Sequence, residues 1–442
     1  MNMGRLVEAF RGKHLYLRSG MIYSVERLAY TIAGFVVYIL LGRAIPPATM
    51  GAFNYAQTAA NMAGPFLALG AEAVIVRELV RYPRDSAATL GSGFRVLLIN
   101  SLIVTALPVL FVWATVGDDR DTLAMTIWFA LPFLFNGFFV IDHYLRARMM
   151  PWHLVVARLL SIALGLAVKL GALLAGLSVV YVAAGYAFEQ IALLVILVLT
   201  YRRLPDAPHA WSARADTVKL LFRQCFPAMV AAVVVQLFFR INSLMLGALS
   251  PGPKGGLAEA GQYAIAFQIV QLTSMLPSVV FAVAYPRLVA LHSENPQRYN
   301  EVLRRLLVWM TALGYGLAAG AYLVAHPVID LVFGGKFDRA ADILLVLCTS
   351  TIFNFSGAVR AQFINIEGMT QYHMVNAALG LAVLIPINLY LIPLQGALGA
   401  AWAAVIATFV SGILSSLFFR STRSFGVSQL LALFLLKDPI RR

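Results

Sequence analysis

The chain has 442 residues, of which 60% are hydrophobic and 12% are charged, and its mean hydropathy is +0.80. Soluble domains carry about a quarter charged residues, so this composition excludes a soluble globular protein, and the excess apolar surface must face lipid. The formal net charge of +14 would suit nucleic acid, but the basic residues stand in short clusters between apolar runs, as positively charged membrane loops do. We therefore predict an all-α integral membrane protein.

A helix that crosses a bilayer needs about 20 predominantly apolar residues, and twelve segments meet that requirement. The first six are 21–41, 50–76, 91–116, 123–145, 154–176 and 177–200, and the second six are 226–249, 261–291, 306–325, 341–364, 371–392 and 396–419. The resulting architecture is two groups of six helices.

The loops between these segments predict the orientation of the chain. If the N-terminus is cytoplasmic, about 23 basic residues fall on the cytoplasmic side and about five on the other side. The five are Arg43, Arg120, Lys254, Lys336 and Arg339. Both termini are therefore predicted to be cytoplasmic.

The predicted organisation has five parts. They are a cytoplasmic amphipathic segment (1–20), an N-lobe of six helices (21–200), a basic cytoplasmic linker (201–225), a C-lobe of six helices (226–420) and a cytoplasmic tail (421–442). The two lobes share a loose pattern of Gly, Pro and Tyr after their first helices. Six helices per lobe give both lobes the same orientation, so this pattern indicates a repeat about an axis along the membrane normal.

Several turns of the chain resemble those of one transporter family. The similar runs are 43–56, 70–79, 240–247, 260–263, 331–337 and 388–403, among them Gly51-Ala-Phe-Asn-Tyr55-Ala56 and Gly261-Gln-Tyr263. Each run is loose, and their order and spacing over nearly the whole chain carry the resemblance. The chain resembles the bacterial O-antigen and exopolysaccharide flippases of the multidrug/oligosaccharidyl-lipid/polysaccharide (MOP) exporter superfamily.

The resemblance implies two six-helix lobes around a central cavity. It implies a flippase that moves undecaprenyl-diphosphate-linked oligosaccharides from the cytoplasmic to the periplasmic leaflet of a bacterial inner membrane, for surface polysaccharides such as lipopolysaccharide. It implies no cofactor besides a coupling proton or sodium ion, and a polymerase and a chain-length regulator as partners. Where the family often has an acid, this chain has Asn242, which puts ion coupling at that position in doubt.

Ionisable side chains inside apolar segments are costly and are functional candidates by default. Arg240 lies about 21 Å from the inner end of its segment and about 14 Å from the outer end at 1.5 Å per residue. Fixed cations would replace part of the hydration that a diphosphate loses in the membrane. The predicted substrate-binding residues are Arg240, Arg27, Arg360, Lys169 and Tyr30, and the predicted ion-coupling residues are Glu189 and Glu26. No catalytic or metal-binding set is predicted.

Other interpretations stay open. Each of these charges could pair with another helix for purely structural reasons, as Asp142 and Arg146, four residues apart, are expected to do. A multidrug/cation antiporter or a lipid II flippase of the same superfamily are the closest functional alternatives, although the antiporter would be expected to have acids in its cavity and the lipid II flippase two more helices. A membrane enzyme, such as a polysaccharide polymerase or ligase, would need larger outer loops than this chain has.

Overall fold

The computed structural model of the chain describes residues 28–117, 119–250 and 255–434, and its regular structure there is helical. In chain order the α-helices are α1 Leu28–Ala44, α2 Pro47–Ala68, α3 Ala71–Arg81, α4 Ser86–Val116, α5 Arg120–Ala130, α6 Val140–Ala147, α7 Pro151–Leu174, α8 Val179–Arg202, α9 Ala215–Leu249, α10 Gly255–Thr273, α11 Met275–Glu294, α12 Pro296–Phe333, α13 Asp338–Ile366, α14 Gln371–Gln395, α15 Ala397–Phe409, α16 Ser415–Phe418 and α17 Arg420–Leu433. Short 3₁₀ segments join α3 to α4 and α5 to α6, and a π-turn, Val410–Leu414, joins α15 to α16. The predicted all-α class is confirmed.

Within the described residues, eleven helical stretches are long and apolar enough to cross a membrane. The shorter apolar helix α1 precedes them and overlaps the first predicted segment. Each of the twelve predicted segments therefore has a helical counterpart, and the chain is a multi-pass membrane protein.

Several helices extend beyond the apolar segments that predicted them. The largest extension is in α12, a helix of 38 residues around the predicted segment 306–325. The side chain of Asn295 caps its first turn by accepting the backbone N–H of Arg298 at 3.0 Å, and Pro296 occupies its first position, where a missing N–H costs nothing. Hydropathy detects only the part of such a helix that contacts lipid, so the sequence predicts loops where the polar end turns of α12 lie.

The chain folds into two units. The described residues of the first are 28–41, 59–117 and 119–230, and those of the second are 42–58, 231–250 and 255–434. Residues 42–58, placed in the N-lobe by sequence, thus pack with the second unit. The cause is a close helix approach at two glycines, because a Cβ on Gly51 would overlap the carbonyl of Leu257 and a Cβ on Gly261 would overlap the carbonyl of Pro47.

The predicted linker and the predicted tail both contain ordered structure. In the linker, the Tyr201 hydroxyl donates to the carbonyl of Pro208 at 2.7 Å and accepts the indole N–H of Trp211 at 3.0 Å. These bonds hold the connection against the first unit. Residues 420–433 of the tail region form α17, which buries Phe425 and Gln429 in the second unit.

Candidate functional site

A buried ion pair lies between α7 and α8 in the first unit. The ammonium of Lys169 donates to Oε2 of Glu189 at 2.5 Å, and the two residues are only 3% and 4% exposed. The same ammonium lies 4.0 Å from the ring centroid of Tyr186, a cation–π contact. Sequence reasoning assigned Lys169 to substrate binding and Glu189 to ion coupling as separate residues, whereas the structure brings them together.

Two glycines make room for this pair. A Cβ on Gly165 would lie 2.5 Å from Cβ of Glu189, and a Cβ on Gly185 would lie 2.6 Å from Cγ of Lys169. Each charged residue follows a glycine by four positions in its own helix and packs on the glycine of the other helix. This reciprocal arrangement sets the register of α7 against α8. The sequence signal that could have revealed the pair is Gly-x-x-x-Lys in one helix followed by Gly-x-x-x-Glu in the next.

A second ionic cluster surrounds the buried Asp142 on α6. Arg146 donates to its Oδ2 at 2.5 Å, and Arg158 donates to its Oδ1 at 2.8 Å. Arg146 also lies 3.2 Å from a carboxylate oxygen of Glu72. The predicted structural pair of Asp142 and Arg146 is confirmed. Arg158 extends it, because a buried carboxylate needs its lone pairs satisfied.

In the second unit, Arg360 on α13 is bonded to the chain around the π-turn. Its Nη1 donates to the carbonyl of Ser411 at 2.7 Å and to the hydroxyl of Ser415 at 2.7 Å, with Ser416 Oγ at 3.4 Å. Its hydrogen bonds to described residues all leave from Nη1, and no described carboxylate contacts it. Arg360 therefore keeps its charge among neutral acceptors.

A chain of buried amides lies where the family often has an acid. Asn242 on α9 donates to the hydroxyl of Tyr263 at 2.9 Å and accepts from Nδ2 of Asn388 at 2.6 Å. Asn388 is fully buried, and its own Oδ1 has no hydrogen-bond partner within the part of the chain that is described. The network is neutral and joins α9, α10 and α14.

The other predicted site residues are placed as follows. Arg240 lies half-buried on α9, and Tyr30 lies on α1 with 50% of its surface exposed. Glu26 and Arg27 lie outside the described residues. The prediction that these residues bind substrate or the coupling ion stays a prediction.

Comparison with known proteins assigns the chain to a family. A family model described as "Polysaccharide biosynthesis protein" matches residues 16–292, whereas no curated protein matches the chain.

Three solved structures show the same fold at low sequence identity. A lipid II flippase MurJ in an inward closed conformation superposes with a TM-score of 0.71 at 13% identity, over 94% of this chain and 91% of that chain. An inward-facing multidrug resistance MATE transporter of the MOP superfamily gives 0.60 at 14% identity, over 92% and 96%. A MOP superfamily transporter from Pyrococcus furiosus, whose binding pocket is described as reversed in polarity, gives 0.57 at 14% identity, over 95% of each chain. The chain belongs to the polysaccharide biosynthesis protein family, and it shares its fold with these flippase and MOP-superfamily transporter structures.

Proposed function

We propose that this protein is a flippase for undecaprenyl-diphosphate-linked oligosaccharides. It would carry repeat units from the cytoplasmic to the periplasmic leaflet of a bacterial inner membrane for surface polysaccharide assembly, by alternating access. In this proposal both termini are cytoplasmic, and a polymerase and a chain-length regulator act on the delivered lipid.

The observation that carries the proposal is the balance of charge inside the apolar helices. The buried acids Asp142 and Glu189 are each bonded to basic residues, so neither offers a free negative charge. Arg360 has only neutral acceptors among the described residues. A cation held by neutral acceptors attracts an anion, and a guanidinium offers forked hydrogen bonds to phosphate oxygens. A lipid diphosphate fits this balance better than the organic cation of an antiporter.

We place ion coupling at the pair of Lys169 and Glu189. Protonation of Glu189 would remove its attraction for Lys169 and leave a buried cation without its counter-ion, which is costly in a membrane. Such a change can shift a helix packing equilibrium. The amide at Asn242 carries no charge, which supports coupling in the first unit.

Lipid II is a second candidate substrate. The MurJ lipid II flippase gives a higher TM-score than the MATE transporter, 0.71 against 0.60. Both candidates share the undecaprenyl diphosphate and differ in the sugar, so only a direct comparison of lipids separates them.

The test reconstitutes the purified protein in liposomes that contain a fluorescent undecaprenyl-diphosphate oligosaccharide. Its accessibility to an added quencher is followed with and without imposed proton and sodium gradients. Wild type is compared with Arg360→Ala and Arg240→Ala, and parallel vesicles carry lipid II or an organic cation.

We expect wild type to flip the oligosaccharide lipid and to respond to one of the gradients. Loss of flipping in Arg360→Ala or Arg240→Ala, with the fold intact by size-exclusion chromatography, supports a role in guiding the diphosphate. Faster movement of lipid II than of the oligosaccharide lipid assigns the protein to the second candidate. Transport of the organic cation alone overturns the proposal.

A further inference from the structure

The last long helix, α15 to α16, is interrupted by the π-turn Val410–Leu414. A π-turn widens the helix by one residue, which leaves backbone carbonyls available for partners outside the helix. Two carbonyls of this turn have such partners. Ser411 O accepts from Nη1 of Arg360 at 2.7 Å, and Gly412 O accepts from Nε2 of Gln429 at 3.1 Å.

Gln429 belongs to α17 and is fully buried. Besides Gly412 O, its Nε2 donates to the hydroxyl of Ser356 at 3.0 Å, and its Oε1 accepts from the hydroxyl of Ser416 at 2.8 Å. One side chain from the predicted tail therefore joins the π-turn, α16 and α13, the helix that carries Arg360.

These bonds fix the direction of two hydroxyl protons. A serine hydroxyl has one proton and two lone pairs. The hydroxyl of Ser416 donates its one proton to Gln429, so only a lone pair of this oxygen faces Nη1 of Arg360. Ser415 donates to Ser411 O at 2.6 Å and likewise accepts from Arg360. The serines are thus oriented as acceptors for the guanidinium, and Gln429 sets the orientation of one of them.

The helix that carries Gln429 is anchored on both sides of it. The ring of Phe425 stacks on Phe363 with centroids 4.8 Å apart, and Thr422 Oγ1 donates to the carbonyl of Ser416 at 2.9 Å. After Gln429, the hydroxyl of Tyr315 donates to the carbonyl of Leu433 at 2.9 Å. These contacts fix the position of α17 and with it the position of Gln429.

We propose that α17 completes the Arg360 site and that Gln429 is a positioning residue for it. Through Ser416 and the π-turn, Gln429 holds Nη1 of Arg360 on the protein. The edge formed by Nε and Nη2 is then left for two oxygens of a lipid phosphate, in a fixed direction. Naming the phosphate as ligand rests on the proposed function.

The test uses the full chain in lipid nanodiscs and in liposomes. Gln429→Met removes the hydrogen bonds and keeps the volume, and Ser416→Ala removes the link to Arg360 by a second route. Ser424→Ala, on the exposed face of α17, is the matched control. Two quantities are measured: the rate at which phenylglyoxal modifies Arg360, followed by mass spectrometry, and the KM and kcat for flipping of the undecaprenyl-diphosphate oligosaccharide.

We expect Gln429→Met and Ser416→Ala to speed modification of Arg360, because Nη1 loses Ser416 as an oriented acceptor and, in Gln429→Met, the π-turn also loses the bond that holds Gly412 O. In Gln429→Met, KM should rise roughly tenfold, a factor that corresponds to about 1.4 kcal/mol, because both Ser416 and the π-turn lose their bond to α17. In Ser416→Ala, KM should rise only about twofold, because Ser411 O and Ser415 Oγ still accept from Nη1 at 2.7 Å. In both variants kcat should be nearly unchanged, and Ser424→Ala should behave like wild type. Gln429→Glu should raise KM further, since its carboxylate would attract Arg360 away from an anionic ligand.

Unchanged modification and unchanged KM in a folded Gln429→Met variant overturn the proposal. A loss of kcat alone, or an equal loss in Ser424→Ala, also overturns it, because either result assigns α17 a general structural role. If wild type flips no undecaprenyl-diphosphate lipid, the proposed function fails and phosphate is excluded as ligand. The phenylglyoxal rate then still decides whether Gln429 positions Arg360.

Discussion

Lys169 in the first unit and Arg360 in the second are both cations on apolar helices, but their surroundings differ. Lys169 is buried against Glu189 at 2.5 Å, and two glycines fit the helices closely around the pair. Arg360 is half-buried, and the acceptors that hold its Nη1 are a carbonyl and serine hydroxyls.

The difference concerns what each cation can still bind. A closed ion pair has no net charge, so an anion gains little by approaching it, whereas its rupture is expensive. A guanidinium among neutral dipoles keeps its charge and part of its hydrogen-bonding capacity. The first arrangement suits a two-state element and the second suits a ligand site. The following changes would break or sharpen that distinction.

The largest effect is expected from breaking the ion pair on one side. Glu189→Leu leaves the Lys169 ammonium buried without a counter-charge, which should cost about 3–5 kcal/mol of stability. The apparent unfolding temperature of the purified protein should fall sharply, and Lys169→Met/Glu189→Leu should recover most of the loss. Glu301→Gln, which breaks the exposed pair with Arg305, is the control with an expected change below about 1 kcal/mol.

The double variant also tests the coupling role. If the pair couples transport to an ion gradient, Lys169→Met/Glu189→Leu should flip lipid at a rate that no longer responds to the gradient. A folded double variant that responds like wild type would reduce the pair to a structural contact.

The second effect concerns the shape of the cation at position 360. Arg360→Lys keeps the charge but loses the planar fork, so we expect KM for the diphosphate lipid to rise roughly tenfold, and Arg360→Ala to raise it by up to about a hundredfold. Flipping kinetics in liposomes measure both. Equal KM values for Arg360→Lys and wild type would show that charge alone matters there.

How much of this was predictable from sequence differs between fold and site. The membrane spans follow from apolar length, and the ionisable candidates follow from their cost in lipid. The polar ends of α12 are not predicted by apolar length, because helical turns that carry charged residues outside the bilayer have the composition of loops. Hydropathy also carries no information on which residues of two neighbouring helices meet. It therefore identifies Lys169 and Glu189 as separate candidates and does not predict their contact.

The contribution of the tail was missed for a different reason. Residues 421–442 were assigned to a cytoplasmic tail because they follow the last apolar segment. Yet Thr422, Phe425, Gly426 and Gln429 recur at helical spacing, and all four are buried. A buried glutamine is costly unless its amide is bonded. One of its partners here, Gly412 O, is exposed to it by a π-turn, and the others, Ser356 and Ser416, lie on two different helices, so the sequence alone does not indicate the site.

The third prediction concerns the glycines beside the ion pair. Gly165→Ala places a methyl group 2.5 Å from Cβ of Glu189, close to the backbone, and should cost about 1–3 kcal/mol. Gly185→Ala meets Cγ of Lys169, which can move, so its cost should be smaller. Gly171→Ala is the control in the same helix, since nothing lies within 4 Å of its added Cβ. The unfolding temperature should fall most in Gly165→Ala, less in Gly185→Ala and least in Gly171→Ala. Equal decreases in all three variants would mean that the helices pack loosely at the ion pair.

The smallest effect is expected from removing one acceptor of Arg360. Ser415→Ala deletes the hydroxyl that lies 2.7 Å from Nη1, but Ser411 O still holds the same nitrogen. One hydrogen bond to a charged group contributes about 1.5–3 kcal/mol when nothing replaces it. The remaining acceptor should reduce the effect to a rise in KM of about threefold. A tenfold rise would mean that Ser415, and not the π-turn carbonyl, fixes the guanidinium. In that case the second unit holds its cation by side chains, as the first unit does, and the distinction between them would rest on charge alone.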